Sequence, residues 1–239
     1  GEHSGSTHIG RYFLDIPYVG HTLEINDEEK LVINTRGLDC TTFVETVVAL
    51  RLCDREGRYG FDDYCDMLQK IRYGESDTVA YWNRNHYFVG WLAENEKKGY
   101  VERITDSLYH TAKIDAEINF MSGHVESYKM LNAHREWVPK IEDMERRVTD
   151  LHYPFIPKDR VENSETLREL IHDGDILALT TEIPGLDTQH IGFAHWREDG
   201  LHLMNASLLH KRVVIEEKLL YDYLQGQKKM TGVIVARIR

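Results

Sequence analysis

The stretch Gly37-Leu38-Asp39-Cys40-Thr41-Thr42-Phe43-Val44-Glu45-Thr46-Val47-Val48-Ala49-Leu50 constrains this chain more than any other. A glycine breaks the chain, an Asp and a Cys follow, and an apolar helical pattern then runs without punctuation. Phe43, Val44, Val47, Val48 and Leu50 fall on one side of a helix. Asp39 suits the N-cap, and the two threonines are tolerated in a first turn. Cys40 is therefore expected at a helix N-terminus, where free N–H groups and the helix dipole favour a thiolate. Two readings stand at this point. Cys40 is a nucleophile, or it is a small buried residue at a helix start, since free cysteine is among the most buried types.

The first ten residues are polar, rich in Gly and His, and read as a flexible arm. Pro17 makes Ile16 extended, and Thr22–Glu24 and Leu31–Asn34 read as short strands or extended arms leading to Gly37. One helix is expected from Asp39 to about Cys53. A second spans Phe61 to Arg72, with Phe61, Tyr64, Leu68 and Ile71 inward and Gly74 ending it. A third runs from His86 towards Gly99. Val101–Thr105 reads as a strand. Residues 106–160 carry polar helical patterns and read as a helical insertion, closed by the extended, proline-flanked Tyr153–Lys158.

Beyond Glu165–His172, a short helix, the period changes to that of strands. These are Ile176–Thr181, His190–Trp196, Leu201–Ala206, Arg212–Ile215 and Thr231–Ile238, with a short helix at Lys218–Leu224. Helices first and an antiparallel meander last make an α+β chain, read as a single domain over residues 11–239.

Acidic residues outnumber basic ones by 40 to 29, a net charge of -11, which argues against nucleic acid or an anionic membrane as partner. No apolar run approaches the roughly 20 residues of a membrane span. The chain starts Gly1-Glu2-His3, as a processed or trimmed start would, and shows no leader peptide. Three cysteines (Cys40, Cys53, Cys65) without a CxxC give no zinc knuckle, although Cys53 and Cys65 could pair in an oxidising compartment. No HxxxH or HExxH occurs among 13 histidines, so no metal and no cofactor is expected.

Cysteine catalysis needs a base and a group to orient it. His190 begins a strand just after a turn, and Glu198-Asp199-Gly200 signals a hairpin. A tight turn there pairs residue i with about 396 to 398 minus i. His190 then lies opposite residues 206–208, close enough for the Asn205 side-chain carbonyl to accept from the imidazole. Cys on a helix, then His and Asn on adjacent strands, is the papain-like order. His195 and His202 form a rival pair, but both sit mid-strand. Arg84 and His86, among Trp82, Tyr87, Phe88 and Trp91, could line a pocket, although such rings are more often core.

Here the chain resembles a known family. Gly37-Leu38-Asp39-Cys40-Thr41-Thr42-Phe43-Val44-Glu45, His190-Ile191-Gly192-Phe193 and Met204-Asn205-Ala206-Ser207 look like the D-C-[ST]-x-F-V, H-[IV]-G-[IF] and [HN]-A-S blocks of the NlpC-type cysteine peptidase superfamily. Within it the chain resembles the N-acetylmuramoyl-L-alanine amidase-like family. Leu14-Asp15-Ile16-Pro17-Tyr18, Arg84-Asn85-His86-Tyr87-Phe88, Phe155-Ile156-Pro157-Lys158, Gly174-Asp175-Ile176 and Pro184-Gly185-Leu186-Asp187 belong to the same pattern. Many superfamily members carry His where this chain has Asn205.

The resemblance implies a papain-like NlpC-type fold, export to the periplasm or cell envelope, and peptidoglycan fragments (muropeptides) as partners. It implies Cys40 as nucleophile, His190 as base and Asn205 as orienter, with Tyr18 and Asp39 supporting the site. Arg84, His86 and Tyr87 are the expected substrate contacts. The reaction implied is hydrolysis of the N-acetylmuramoyl-L-alanine amide. Alternatives are cleavage between γ-D-Glu and diaminopimelate, a silent muropeptide-binding domain, or transglutaminase-like acyl transfer.

Overall fold

The computed structural model describes residues 5–74, 76 and 78–239. In chain order the helices and strands begin with α1 (Gly5–Arg11), α2 (Cys40–Arg55), α3 (Phe61–Arg72), α4 (Phe88–Lys97) and β1 (Val101–Ile104). Next come β2 (Ala112–Lys113), α5 (Phe120–Gly123), α6 (Lys129–Ala133), α7 (Val138–Thr149), β3 (Pro154–Pro157) and α8 (Glu165–Leu170). The chain ends with β4 (Ile176–Thr181), β5 (Thr188–Trp196), β6 (Leu201–Ser207), β7 (Arg212–Ile215), α9 (Leu220–Gln225) and β8 (Met230–Ile238).

An antiparallel sheet in the order β2-β3-β8-β4-β5-β6-β7 forms the middle of the molecule, with β1 also pairing β8. Both its faces are covered. Ile176, Ala178, Phe193, Met204 and Ile234 point into one apolar cluster with α2, α3 and α4. Their neighbours Leu177, Leu179, Ala194, Leu203 and Val235 point into the other, with α8 and α9. A strand buried on both faces has no polar side, which is why Ile176–Leu179 reads as an unbroken apolar run. The mixed α+β layout expected from the sequence is therefore present, with helices on both sides of the sheet.

Helix α2 lies between the sheet and α3 and buries ten of its residues. One of them is charged: Glu45 meets the Arg72 Nε of α3 at 2.7 Å, and Arg72 also donates to the Val32 carbonyl at 2.6 Å.

Several expectations need correction. Residues 5–10 are not an arm: they are most of α1, which packs on α2 and β5 and ties Thr7 to Asp173 at 2.6 Å. Residues 1–4 lie outside the described residues. Thr22–Glu24 and Leu31–Asn34 form no strands; buried side chains, not a backbone ladder, hold that loop. Phe61 is exposed, although Tyr64 in the same turn is buried and its hydroxyl lies 3.4 Å from Thr46 of α2. The insertion is mostly short turns, with α7 its one long helix, and its last part, β3, belongs to the sheet. Met121, Met130, Leu131, Ile141 and Val148 share the main apolar cluster, so this segment is continuous with the core. All three cysteines are free, including Cys53 and Cys65.

Removing Arg72 strands the buried Glu45 charge, so Arg72→Met should cost about 3–5 kcal/mol of unfolding free energy. The double variant Glu45→Leu/Arg72→Met should recover most of it. Urea denaturation measures both, and equal losses in the two variants would show that the pair is not what matters.

Candidate active site

Asp39 caps α2. Its Oδ1 accepts the Thr42 N–H at 2.8 Å, and Thr42 Oγ1 accepts the Asp39 N–H at 2.9 Å. This reciprocal box begins the helix at Cys40. Burial pushes the Cys40 thiol up to about 11, and the Asp39 charge adds to this, while hydrogen bonds from the Ile191 N–H and from Thr41 pull it down. The sequence reading expected helix-assisted ionisation. In the folded protein desolvation outweighs the helix start, and Cys40 rests as a neutral thiol.

Tyr18 reaches the same place from the N-terminal segment. Its N–H donates to the Lys211 carbonyl at 2.9 Å, and it bridges Leu38, so Pro17–Val19 is clamped between the start of β7 and the entry to α2. Burial, then the nearby Cys40 and Asp39, pushes the Tyr18 phenol up to about 12, so it stays a donor.

β5 and β6 pair Phe193 with Met204, a sum of 397 that matches the hairpin register read from the sequence. Gly192 permits the close approach: a Cβ there would meet the Met204 carbonyl oxygen at 2.5 Å. His190 Nε2 lies 2.9 Å from Asn205 Oδ1. An amide oxygen only accepts, so the proton is on Nε2 and Nδ1 carries the open lone pair. Burial lowers the His190 pKa below its ordinary value, only partly opposed by Asn205 and by the charge of Glu216, and the ring is neutral at pH 7. His195 and His202 are buried cross-strand partners and serve the scaffold: His195 faces Asp173 at 3.2 Å, and His202 bonds the Glu216 carbonyl at 2.9 Å.

Cys40 and His190 open into one pocket, with His86, Tyr87, Phe88, Trp91, Met121, Tyr128, Leu186 and Gln189 around them. Among the described residues no Lys or Arg lines it, and the two carboxylates that do are engaged. Glu45 holds Arg72, and Asp187 accepts the Val89 N–H at 2.7 Å, capping α4 from a distant segment. His86 donates from Nε2 to the Tyr81 carbonyl at 2.7 Å. Burial and then the Arg84 charge lower its pKa well below the ordinary value, so it stays neutral.

Of the expected substrate contacts, His86 and Tyr87 are in the pocket and Arg84 is not. Arg84 is buried against Glu24 at 2.6 Å and Glu29 at 3.3 Å, so its charge is already compensated inside the protein. Met121 and Tyr128, Asp187 and Glu45 escaped the sequence reading as pocket residues. Only Asp187, three residues before His190, carried a local hint. The insertion reaches the pocket because Gly185 adopts φ 84, and the N–H groups of Asn119 and Phe120 both donate to its carbonyl at 3.2 Å.

A family model described as N-acetylmuramoyl-L-alanine amidase-like (AmiA-like) matches residues 8–233. The chain belongs to this amidase-like family. Among similar solved structures is an N-acetylmuramoyl-L-alanine amidase from Bacteroides uniformis, 33% identical, with a TM-score of 0.92 over 100% of this chain and 99% of that one. A protein from Bacteroides fragilis named as a candidate xylanase is 35% identical, with a TM-score of 0.89 over 97% of this chain and 99% of that one. A Legionella pneumophila protein, 21% identical with a TM-score of 0.75 over 99% of this chain and 89% of that one, shares the fold. A comparison with curated proteins finds no match.

The protonation states of this amidase-like site can be tested without substrate. Iodoacetamide should alkylate Cys40 slowly near neutral pH, and the rate should climb towards a midpoint of about 11. Peptide mass mapping separates Cys40 from Cys53 and Cys65. A fast plateau between about pH 5 and 7 would mean a resting thiolate–imidazolium pair instead.

Proposed function

We propose that this chain hydrolyses the amide between the lactyl group of N-acetylmuramic acid and L-alanine, through a thioester on Cys40. The pocket beside Cys40 and His190 carries this reading: it is aromatic and has no cation. A neutral sugar fits such a wall. The α-carboxylate of a γ-D-glutamyl acyl group would be desolvated there without a partner, at a cost of several kcal/mol. This favours the muramoyl amide over the γ-D-Glu–diaminopimelate bond.

The resting pair is neutral, so proton transfer accompanies attack. As Cys40 Sγ adds to the lactyl carbonyl, its proton passes to His190 Nδ1, and Asn205 Oδ1 holds the Nε2–H throughout. The oxyanion is met by the Cys40 N–H at the start of α2, where the Thr42 N–H is already spent on Asp39. The protonated Tyr18 hydroxyl is the second donor. His190 then protonates the alanine nitrogen, the C–N bond breaks, and the peptide leaves as an amine. Water adds to the thioester, giving its proton to His190, and Cys40 leaves with a muramic acid carboxylate as product. On this reading the chain is an NlpC-type, papain-like enzyme of the cell envelope, which its membership of the amidase-like family supports. Among the described residues no helix is long and apolar enough to cross a membrane.

A glycosidase reading, suggested by the name of the Bacteroides fragilis protein, needs two free carboxylates flanking the cleft. Glu45 and Asp187 are both committed elsewhere.

Cys40→Ala should reduce turnover of a purified muropeptide to background while the thermal melt stays within a few degrees of the parent. Mass spectrometry of the wild-type digest should show sugar-free peptide with a free alanine amine. Release of a peptide that begins at diaminopimelate, together with a fragment that keeps the sugar on L-alanyl-D-glutamate, would select the endopeptidase reading.

A further inference from the structure

We propose that Glu216 is a positioning residue for the Cys40–His190 pair, acting through Asn205. Its activity readout rests on the amidase reading above, and its spectroscopic readout does not.

Glu216 follows β7 directly and is 5% exposed. Its main chain is fixed on β6 from both sides: its N–H donates to the Leu203 carbonyl at 2.9 Å, and its carbonyl accepts from His202 Nδ1 at 2.9 Å. The carboxylate has one partner on each oxygen. Oε1 accepts from Asn205 Nδ2 at 3.0 Å, and Oε2 lies 3.1 Å from Nε2 of the part-exposed His210.

The consequence follows from donor and acceptor inventory. A carboxylate only accepts, so the NH₂ of Asn205 must face Glu216. Its oxygen then faces His190, 2.9 Å from Nε2, and the imidazole proton is held on that nitrogen. Nδ1 is left with the lone pair that a neutral thiol needs. Asn205 is completely buried, so no solvent can do this sorting in place of Glu216. Without the carboxylate the amide can turn over. It would then donate to Nε2 and favour the tautomer with its proton on Nδ1, which cannot take the thiol proton. The charge of Glu216 also favours the imidazolium that forms during attack, against the burial that opposes it.

The test compares wild type, Glu216→Leu, Glu216→Gln and Asn205→Ala. Long-range proton–nitrogen NMR on histidine-labelled, substrate-free protein should show His190 protonated on Nε2 in the wild type. In Glu216→Leu the Nδ1–H tautomer should become populated. Glutamine can still accept from Asn205, so Glu216→Gln should keep the Nε2–H form. With muropeptide, Glu216→Leu should lower kcat by about 10–100-fold with KM within about twofold, and Glu216→Gln should recover most of the loss. In the Asn205→Ala background, Glu216→Leu should add nothing further.

An unchanged tautomer in folded Glu216→Leu, or an undiminished extra loss in the Asn205→Ala background, would overturn the proposal. Glu216→Ala serves the same comparisons should the leucine variant not fold. If the tautomer moves as expected but the wild type cleaves no muropeptide, the amidase reading fails and the positioning role stands.

Discussion

The cleft depends on one packing arrangement, the burial of α2 against β5 and β6. Cys40 is the first residue of that helix, and His190 and Asn205 lie on the two strands beneath it. Phe43 meets Phe193 of β5 edge-on, with ring centroids 5.7 Å apart. Phe43, Val44, Val47 and Val48 are essentially inaccessible to solvent. Each such side chain contributes about 1.5–3 kcal/mol, against about 1 kcal/mol for the Asp39 cap. Burial holds the helix, and the cap decides where it starts. Because Cys40 is the first helical residue, the cap also decides where the sulfur sits.

Charge does a different job. The protein is strongly acidic, yet two arginines lie inside it, each against carboxylates of its own chain. Arg72 joins α3 to α2 and to the loop at Val32, and Arg84 joins the approach to α4 to the loop at Glu24 and Glu29. These bonds replace the backbone ladder that residues 22–34 lack. They also remove cations from the pocket, leaving an aromatic wall with engaged carboxylates. A pocket without a Lys or Arg among its described residues is thus partly a by-product of how the loop is fastened.

Local patterns were readable where one face of an element is buried by its immediate neighbours. α2, α3, the β5–β6 register and the extended segment at Tyr18 are of this kind, because apolar periodicity, caps and turn residues all act within a few positions. The same logic explains the errors. A polar, glycine-containing segment reads as loose, but Ser6, Thr7 and Gly10 fit closely into α1's contacts with distant elements. Phe61 fits the apolar stripe of α3, but it is 68% exposed while Tyr64, one turn on, takes the contact with α2. Arg84 among rings reads as a ligand clamp until Glu24 and Glu29, 60 and 55 positions earlier, take its charge.

The sequence alone determined the helix start at Cys40, the hairpin that carries His190 towards Asn205, and the meander that forms the sheet. Each is set by short-range propensity and alternation. Tertiary structure decided the rest: which charges are consumed, which walls close the pocket, and whether the thiol is ionised. Glu24 reaches the Met130 N–H across 106 positions, and Glu145 reaches the Tyr87 hydroxyl across 58. Partners at that separation leave no trace in local pattern. The neutrality of Cys40 comes from desolvation, which exists only once the chain has closed around it.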